Sequence, residues 1–596
     1  MTIADTTLDG PAQGSTFGGA FRSAARRRAP LACVLIALAL AGLTALPLLS
    51  LARIAAVGGD DGLWTHLISF VIPPATAQTL GLLAGVAVLA GVAGAGTAWL
   101  VTVYQFPLRG ALIWLLPLPL AIPTYIAAYV YADLLEAAGP VQAALRAQFG
   151  FATAADYWFP QVRSLPGAIL IFSAVLYPYV YLAARAMFQT QCASFTEAAR
   201  VLGARPWRLA RDIALPLSRP ALAVGIALAL LECLNDIGAS EYLGVRTLTL
   251  SVFDTWLNRG SLPGAAQISL AMLTLVVALI ALERYGRARQ RYTMATQDSR
   301  MSHRVPLTGL ARWLATLACL LPFALGFLVP AGFLAREVAV RHAGLGIEPE
   351  LVRHTLTTLT LAASATVAVL VLGGLAAMAV RIGRTRLIVG AVAIAAMGYA
   401  IPGTVLALGL LDPIVGIDEI VNWIASHTTG AHPGLVVAGS SAGLVIAYVV
   451  RFLAIAIGLS QAGLARIPGE FEDVARTLGA GPRSIVRNLY LPLARPALWG
   501  AALLVFVDCL KELSATLLLR PLNTETLATY IYQFATRGSF EEGALAALLI
   551  VMVGILPVIW LVRFAEKAPA RFAQKSPVEP EKPLRRRAWR DRAPQP

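Results

Sequence analysis

The stretch Glu197-Ala-Ala-Arg-Val-Leu-Gly203-Ala-Arg-Pro206 occurs a second time later in the chain, as Asp473-Val-Ala-Arg-Thr-Leu-Gly479-Ala-Gly-Pro482. Each copy is followed by a further shared motif, which reads Leu215-Pro-Leu-Ser-Arg-Pro220 in the first and Leu491-Pro-Leu-Ala-Arg-Pro496 in the second. Both copies are polar, arginine-containing segments between long apolar ones. The pattern indicates two membrane units, each of which presents one structured loop to something outside the bilayer.

The composition is that of a membrane protein that crosses the bilayer many times. Of its 596 residues, 58% are hydrophobic and 14% are charged, which is too apolar for a soluble protein of this length. A helix needs roughly 20 mostly apolar residues to cross the hydrocarbon. We therefore predict an all-α, polytopic membrane protein with about 12 transmembrane helices in two homologous six-helix bundles. The predicted spans lie near residues 31–55, 79–104, 111–133, 166–190, 219–241, 264–284, 308–335, 355–380, 387–411, 436–460, 496–519 and 544–564.

Basic residues collect on alternate connections between the predicted spans. Under the positive-inside rule, this distribution places both termini and both repeated loops in the cytoplasm. Membrane topology therefore explains the net charge of +15, and no nucleic-acid partner is predicted. The basic connections are Arg22 to Arg28, Arg200 to Arg219, Arg284 to Arg304, Arg381 to Arg386, Arg466 to Arg495 and Arg585 to Arg590.

The duplication extends well beyond the two loops. Leu231-Glu-Cys-Leu-Asn-Asp-Ile-Gly-Ala-Ser240 corresponds to Val507-Asp-Cys-Leu-Lys-Glu-Leu-Ser-Ala-Thr516, and Ile122-Pro123 corresponds to Ile401-Pro402. Because both copies keep the loop on the same side, the repeat is parallel, and a pathway is expected between the halves. The predicted divisions are a cytoplasmic N-terminal tail (1–30), a first membrane domain (31–290), a linker (291–307), a second membrane domain (308–566) and a disordered cytoplasmic tail (567–596).

The first loop contains residues that typically begin and end two short helices. Ser194 and Glu197 have the spacing of a capping box, which predicts a helix that Gly203 ends. Pro206 suits the first position of a second helix, and we expect Pro216 to end that helix. The alternative is an amphipathic surface segment that only stabilises the neighbouring spans. Sequence detail retained in two diverged halves argues against this alternative.

The Glu-Ala-Ala sequence, followed by Gly203 and by Ile213-x-Leu215-Pro216, resembles the E-A-A loop of permease subunits of ATP-binding-cassette (ABC) importers. The resemblance covers both halves and implies a fused permease with a type I ABC importer fold in the bacterial inner (plasma) membrane. It implies two ATP-binding-cassette ATPase subunits and a periplasmic substrate-binding protein as partners, with membrane lipid around the spans. In that family the loop docks on the ATPase, which implies as coupling residues Glu197, Ala198, Ala199, Gly203, Asp473, Val474, Ala475 and Gly479. The second loop departs from the family pattern, since Asp473 and Val474 stand where the pattern has Glu and Ala.

No ATPase machinery is expected in this chain. A Walker-A phosphate loop needs Gly-Lys followed by Ser or Thr. The five cysteines have no C-x-x-C spacing, so neither a zinc site nor a disulfide framework is predicted. We therefore expect no catalytic residue, no metal site and no cofactor, and we place ATP hydrolysis in separate subunits. No lysine of the chain follows a glycine, and the lysines are Lys511, Lys567, Lys575 and Lys582.

Acidic residues occur inside the predicted fifth span of each half. Ionisable groups at bilayer depth are costly and mark pathways by default. The acidic residues form two pairs with i, i+4 spacing, which predicts that each pair shares one helix face. One hypothesis is that these faces line the central path and favour a cationic or metal substrate; the alternative is that they pair with buried arginines such as Arg451 or lie near a helix end. The candidate pathway residues are Glu232, Asp236, Asp508, Lys511 and Glu512.

The residues after the fifth span bear on the substrate. Asn235-Asp-Ile-Gly-Ala-Ser-Glu-Tyr-Leu-Gly244, with Thr247-Leu-Thr-Leu-Ser-Val-Phe253 after it, resembles the same region in fused ferric-iron importer permeases. Iron is therefore favoured, and permeases for thiamine, polyamines or phosphonates stay open as alternatives. A hypothesis of another class is an ion-coupled secondary transporter, which needs no duplicated cytoplasmic loop. A membrane-embedded enzyme would need clustered ligands within the bilayer, and the spans offer carboxylates without histidine partners.

Overall fold

The computed structural model describes residues 30–57, 63–190, 208–288, 304–342 and 348–573. These residues are almost entirely helical, and the strands among them are two short segments that pair in parallel across the halves. Within these ranges, ten helices are long and apolar enough to cross a membrane, and the number of spans rises to 12 when each of two bent helix pairs is counted as one span. The predicted all-α organisation with about 12 spans is confirmed.

In the first half, long helices alternate with short helices that fill the bends between them. The elements are α1 (Leu31–Val57), α2 (Leu63–His66), α3 (Ile72–Val103), β1 (Tyr104–Gln105), α4 (Arg109–Leu115), α5 (Thr124–Leu135), α6 (Pro140–Phe149), α7 (Leu165–Thr190), α8 (Leu215–Asn235), α9 (Gly238–Tyr242), α10 (Leu248–Leu257) and α11 (Leu262–Ala288), with a 3₁₀ turn at Leu118–Ala121.

The second half repeats this order of long and short helices. The elements are β2 (Val305–Pro306), α12 (Gly309–Phe323), α13 (Val329–His342), α14 (Pro349–Gly383), α15 (Arg386–Ala395), α16 (Gly403–Thr428), α17 (Ser441–Ala465), α18 (Gly469–Thr477), α19 (Pro482–Ile485), α20 (Leu491–Leu510), α21 (Ser514–Leu519), α22 (Leu527–Thr536) and α23 (Ala544–Ala573), with 3₁₀ turns at Ala396–Ala400 and Phe540–Gly543.

The first span of each half packs against the other half. On α1, the Thr44 hydroxyl donates to the carbonyl of Ala395 at 3.2 Å. In return, the Tyr131 hydroxyl of the first half donates to the carbonyl of Leu325, between α12 and α13, at 2.5 Å. The first span of each half therefore contacts the other half, and one hydrophobic cluster contains buried residues of both halves.

The third span of each half is broken at the repeated Ile-Pro pair. Arg109–Ala121 and Thr124–Phe149 meet at an angle of 93°, and Arg386–Ala400 and Gly403–Thr428 meet at 117°. A proline has no N–H and forces the residue before it out of the helical region, and Ile122 is accordingly extended, with φ −99° and ψ 116°. The predicted third spans exist, but they are not continuous helices. Non-helical backbone at bilayer depth is tolerated where it lines a cavity.

Each π-helical turn in the described part of the chain precedes a proline. A proline ring within a helix clashes with the carbonyl four residues earlier, and a wider turn relieves that clash. The helix therefore continues through Pro216 into α8, and the prediction that Pro216 ends it is wrong. The turns are Leu67–Val71, Leu209–Ala214, Ala324–Leu328 and Val486–Tyr490, and the prolines that follow them are Pro73, Pro216, Pro330 and Pro492.

The two halves use the same close helix contact between their second and fourth spans. A β-carbon at Gly94 on α3 would lie 2.6 Å from Cβ of Val180 on α7. A β-carbon at Gly373 on α14 would lie 2.5 Å from Cβ of Ala456 on α17. Only glycine permits these approaches, and small residues at helix interfaces are what allows tight packing in membranes. The two halves therefore retain an equivalent glycine contact between their second and fourth spans.

Candidate functional site: a charged cavity between the halves

A cavity of about 80 Å³ lies where the fifth spans end and the third spans break. Its wall includes Ile122 and Pro123 at the first break and residues from both fifth spans. All five candidate pathway residues line it, together with Arg451 from α17. The cavity thus joins the groups that sequence reasoning selected from both halves, and their role in transport stays a prediction.

The second half supplies two ion pairs to this cavity. Lys511 Nζ lies 2.9 Å from Asp508 Oδ1. Arg451 Nε lies 3.2 Å from Glu512 Oε2, and both side chains are less than a tenth exposed. Glu512 Oε1 also accepts a hydrogen bond from the backbone N–H of Ala515 at 2.9 Å. The carboxylates of this half are therefore both compensated by basic groups of the same half.

The first half supplies two carboxylates that are held by hydroxyl groups. Glu232 Oε1 accepts a hydrogen bond from the Tyr399 hydroxyl at 2.6 Å. Asp236 accepts hydrogen bonds from the Thr124 hydroxyl and, at 2.8 Å, from the backbone N–H of Ala239. Among the described residues, neither carboxylate has a lysine or arginine at ion-pair distance. Hydroxyl and amide groups are therefore their direct partners, and the Lys511 ammonium attracts Glu232 only from beyond ion-pair distance.

Asn235 connects the two halves at the centre of the cavity. Its side-chain oxygen accepts hydrogen bonds from the N–H of Gly403 at 2.7 Å and from Arg451 at 3.2 Å. Its carbonyl accepts a hydrogen bond from the Ser514 hydroxyl at 2.7 Å. The free N–H at the start of α16, which the Ile-Pro break exposes, is satisfied in this way.

The acidic pairs do not each lie within one helix, as the i, i+4 spacing assumed, although all four residues line the same cavity. The helix α8 ends at Asn235, and Asp236 is extended, with φ −86° and ψ 113°. The helix α20 ends at Leu510, so Glu512 lies beyond it. Asp236 and Glu512 instead accept hydrogen bonds from the amides three residues on, at the start of α9 and α21. The acidic residues meet in the cavity because the fifth spans end there.

The second repeated loop forms the short helix α18, which carries an exposed apolar surface. Phe471, Val474 and Leu478 are 53%, 55% and 82% exposed. Asp473 and Gly479 are exposed beside them, and Ala475 is half-buried.

Internal contacts of the loop hold this surface in place. Glu472 pairs with Arg476 at 2.5 Å and accepts a hydrogen bond from the Tyr490 hydroxyl at 2.6 Å. Gly479 follows with φ +82°, a left-handed conformation that favours glycine and ends the helix. The predicted residues of the first loop, Glu197, Ala198, Ala199 and Gly203, lie outside the described residues.

Sequence reasoning missed three residues that line the cavity or bind its carboxylates. Tyr399 and Thr124 hold the first-half carboxylates, and Tyr125 lines the wall. All three lie within two residues of a repeated Ile-Pro pair, which was the available signal. Among the described residues, no group of three or more His, Cys, Asp or Glu side chains is arranged to hold a metal ion.

Comparisons with known proteins match this architecture. Residues 87–292 and 369–571 each match the family described as the binding-protein-dependent transport system inner membrane component. The chain is 24% identical to the Fe(3+)-transport system permease protein FbpB 2 of Haemophilus influenzae, over 84% of this chain and 93% of that protein. It is 25% identical to the probable ABC transporter permease protein y4fN of Sinorhizobium fredii, over 76% of this chain and 80% of that protein.

A shorter relative aligns with one part of the chain. The molybdenum transport system permease protein ModB of Escherichia coli is 31% identical over 32% of this chain and 86% of ModB. A relative that aligns over most of its own length with only a third of this chain, and the double family match, agree with the internal duplication. The chain belongs to the binding-protein-dependent transport inner-membrane components, as a multi-pass ABC transporter permease that carries the family's domain twice.

Proposed function

We propose that this chain forms the transmembrane path of an ABC importer for a cation, and that its cargo is ferric iron. The observation that carries the proposal is the charge of the cavity. Four carboxylates and two basic groups line it, which leaves a formal charge of −2. Rings of acidic side chains are the usual means by which membrane pathways select cations.

The size of the cavity and the relatives support the same cargo. About 80 Å³ accommodates an ion with a few waters, whereas pockets for drug-sized ligands measure about 300–1,000 Å³. The Fe(3+) permease of Haemophilus influenzae aligns over both halves. The 2-aminoethylphosphonate permease PhnV of Salmonella typhimurium aligns over only 21% of this chain. Thiamine, polyamine and phosphonate remain the alternative cargoes.

The proposal includes partners and orientation. Two separate ATPase subunits dock on the repeated loops, and a periplasmic binding protein delivers the cargo on the opposite side. The residues of the docking surface are the eight that the E-A-A resemblance implies, with Phe471, Val474 and Leu478 as its apolar part in the second loop. Both termini lie in the cytoplasm, and the permease domains extend over 31–290 and 308–566.

The cargo is tested by uptake into liposomes that contain the full chain with its ATPase and binding-protein partners. The probes are ⁵⁵Fe(III) citrate, labelled thiamine, putrescine, 2-aminoethylphosphonate and molybdate. We expect ATP-dependent accumulation of iron alone. Accumulation of phosphonate or molybdate without iron would show that the acidic cavity does not select a cation.

Docking is tested by Leu478→Asp, with Leu522→Asp as a matched control. Leu478 is 82% exposed on the loop, and Leu522 is 95% exposed in the connection between α21 and α22. Both changes should alter the free energy of unfolding by less than about 0.5 kcal/mol, as is usual for surface positions. Leu478→Asp should abolish co-purification of the ATPase subunit, and Leu522→Asp should not. Equal co-purification of both variants contradicts docking at this surface.

A further inference from the structure

The two fifth spans have the same charge at one pair of equivalent positions and different charges at another. Glu232 and Asp508 are both acidic, whereas Asn235 stands where the second half has Lys511. The fourth spans differ in the same sense. Val180 on α7 packs on Gly94, and Ala456 on α17 packs on Gly373. Val175 and Arg451 each lie five residues before these positions, so Val175 is the first-half equivalent of Arg451. Both basic groups of the cavity therefore belong to the second half.

This difference concentrates the excess negative charge on the first-half side. The carboxylates of Asp508 and Glu512 are each compensated by a basic partner. Those of Glu232 and Asp236 accept hydrogen bonds from hydroxyl and amide groups only. Dipoles orient a carboxylate without cancelling its charge, so these two groups retain the attraction for an incoming cation.

A buried hydroxyl on the same side points to a ligand independently of the charges. Tyr125 lines the cavity and is 3% exposed. Among the described residues, its phenolic oxygen has no hydrogen-bond partner, and the charged groups that act on it are Asp236, Glu512 and Lys511. A buried hydroxyl without a partner is costly and calls for an explanation. A bound ion would use this oxygen.

We propose that the cargo cation binds on the first-half side, between the carboxylates of Glu232 and Asp236, with the Tyr125 hydroxyl as a further oxygen ligand. The second-half carboxylates are closed to cargo by Lys511 and Arg451. This assignment rests on the proposed function, since it requires a cationic cargo. Oxygen ligands of this kind suit hard cations.

The site holds its cargo only weakly, which is consistent with transport. The described residues contain no group of three carboxylate, thiol or imidazole ligands around a common point. Conduction requires binding that is favourable enough for entry and weak enough for exit. Two carboxylates and a phenol meet that requirement better than a closed set of ligands.

The test compares two double variants that each remove two charged groups. Glu232→Gln with Asp236→Asn removes the excess charge, and Asp508→Asn with Lys511→Gln removes a compensated pair. Uptake of ⁵⁵Fe(III) should fall on the order of 100-fold in the first, because each charged ligand is worth about tenfold. In the second it should fall at least about tenfold less than in the first, because the net charge of the cavity is kept. Equal losses, or a loss in the second alone, overturn the assignment.

A binding measurement separates this assignment from the proposed function. Terbium(III), a hard trivalent cation, is titrated into the purified full chain, and tyrosine-sensitised emission is recorded. Emission should be lost in the Glu232→Gln, Asp236→Asn variant and retained in the Asp508→Asn, Lys511→Gln variant. If the unchanged complex imports no iron, the cargo proposal fails, whereas the emission decides the location of the cation site by itself.

If a double variant does not fold, a single substitution at Tyr125 tests the position of the cation site. Tyr125→Phe removes one oxygen and no charge, and it should weaken terbium affinity about fivefold. Tyr129→Phe is its control, because the Tyr129 hydroxyl is also buried without a partner among the described residues but is not on the cavity wall. Equal affinities for the two variants overturn the role of Tyr125.

Discussion

The two halves of the cavity have the same backbone and different charges. In each half an acidic residue follows the end of the fifth span, and its carboxylate accepts a hydrogen bond from the start of the next short helix. In each, a hydroxyl then bonds back to the carbonyl of that acidic residue, from Ser240 in the first half and Thr516 in the second. The duplication thus maintains the shape of the path, while its charge depends on a few positions that have diverged.

The largest difference between the halves is Arg451, and its removal should have the largest effect. Arg451→Met leaves Glu512 as an uncompensated buried charge, which costs about 3–5 kcal/mol of unfolding free energy. Val175→Met, at the equivalent position of the first half, should cost about 1–3 kcal/mol, as overpacking does. Thermal unfolding of the two variants in detergent checks this.

Glu512, the ion-pair partner of Arg451, provides the control for that experiment. Arg451→Met combined with Glu512→Gln should recover most of the lost stability, because no unpaired charge remains. An Arg451→Met variant as stable as Val175→Met would mean that the ion pair is not needed to bury Glu512.

The close glycine contacts should respond alike in the two halves. Gly94→Val and Gly373→Val each place carbon atoms against the facing helix, at 2.6 Å and 2.5 Å for the first β-carbon. Each should cost up to about 3 kcal/mol, as overpacking does. The controls are Gly96→Val and Gly374→Val, whose β-carbons would meet nothing within 4 Å. Unequal losses at Gly94 and Gly373 would show that the two halves are not packed equivalently.

The smallest of the three effects is expected at Tyr399. Its hydroxyl donates to Glu232 at 2.6 Å, and Leu120 stands at the equivalent position before the first Ile-Pro pair. Tyr399→Phe should lower the free energy of unfolding by about 2 kcal/mol, the usual contribution of a hydrogen bond to a charged group. Leu120→Phe, which removes no hydrogen bond, serves as the control. If chemical unfolding gives Tyr399→Phe full stability, Glu232 does not depend on that bond.

The sequence predicts the number of spans well and their ends less well. The spans predicted at 219–241 and 496–519 end at Asn235 and Leu510, because the apolar run continues into the short helices α9 and α21. Hydropathy does not distinguish a continuous span from a span followed by a buried short helix. Pro123 and Pro402 mark the breaks of the third spans, whereas their sharp angles depend on tertiary packing.

The charged residues of the cavity could be predicted from the sequence, but the side chains that contact them could not. Buried carboxylates are costly in a bilayer, which is why Glu232 and Asp508 stood out. Arg451 was available as a partner for these groups, and the structure pairs it with Glu512. The contact between Tyr399 and Glu232 joins distant parts of the chain across the two halves, and no local pattern encodes it.

The position of the cargo ion is the most direct test of the charge difference between the halves. It is measured by anomalous scattering at the iron edge from crystals of the full transporter soaked with Fe(III) citrate. We expect one peak in the cavity, between the carboxylates of Glu232 and Asp236. A peak between Asp508 and Glu512, with the first-half carboxylates unoccupied, would contradict the assignment.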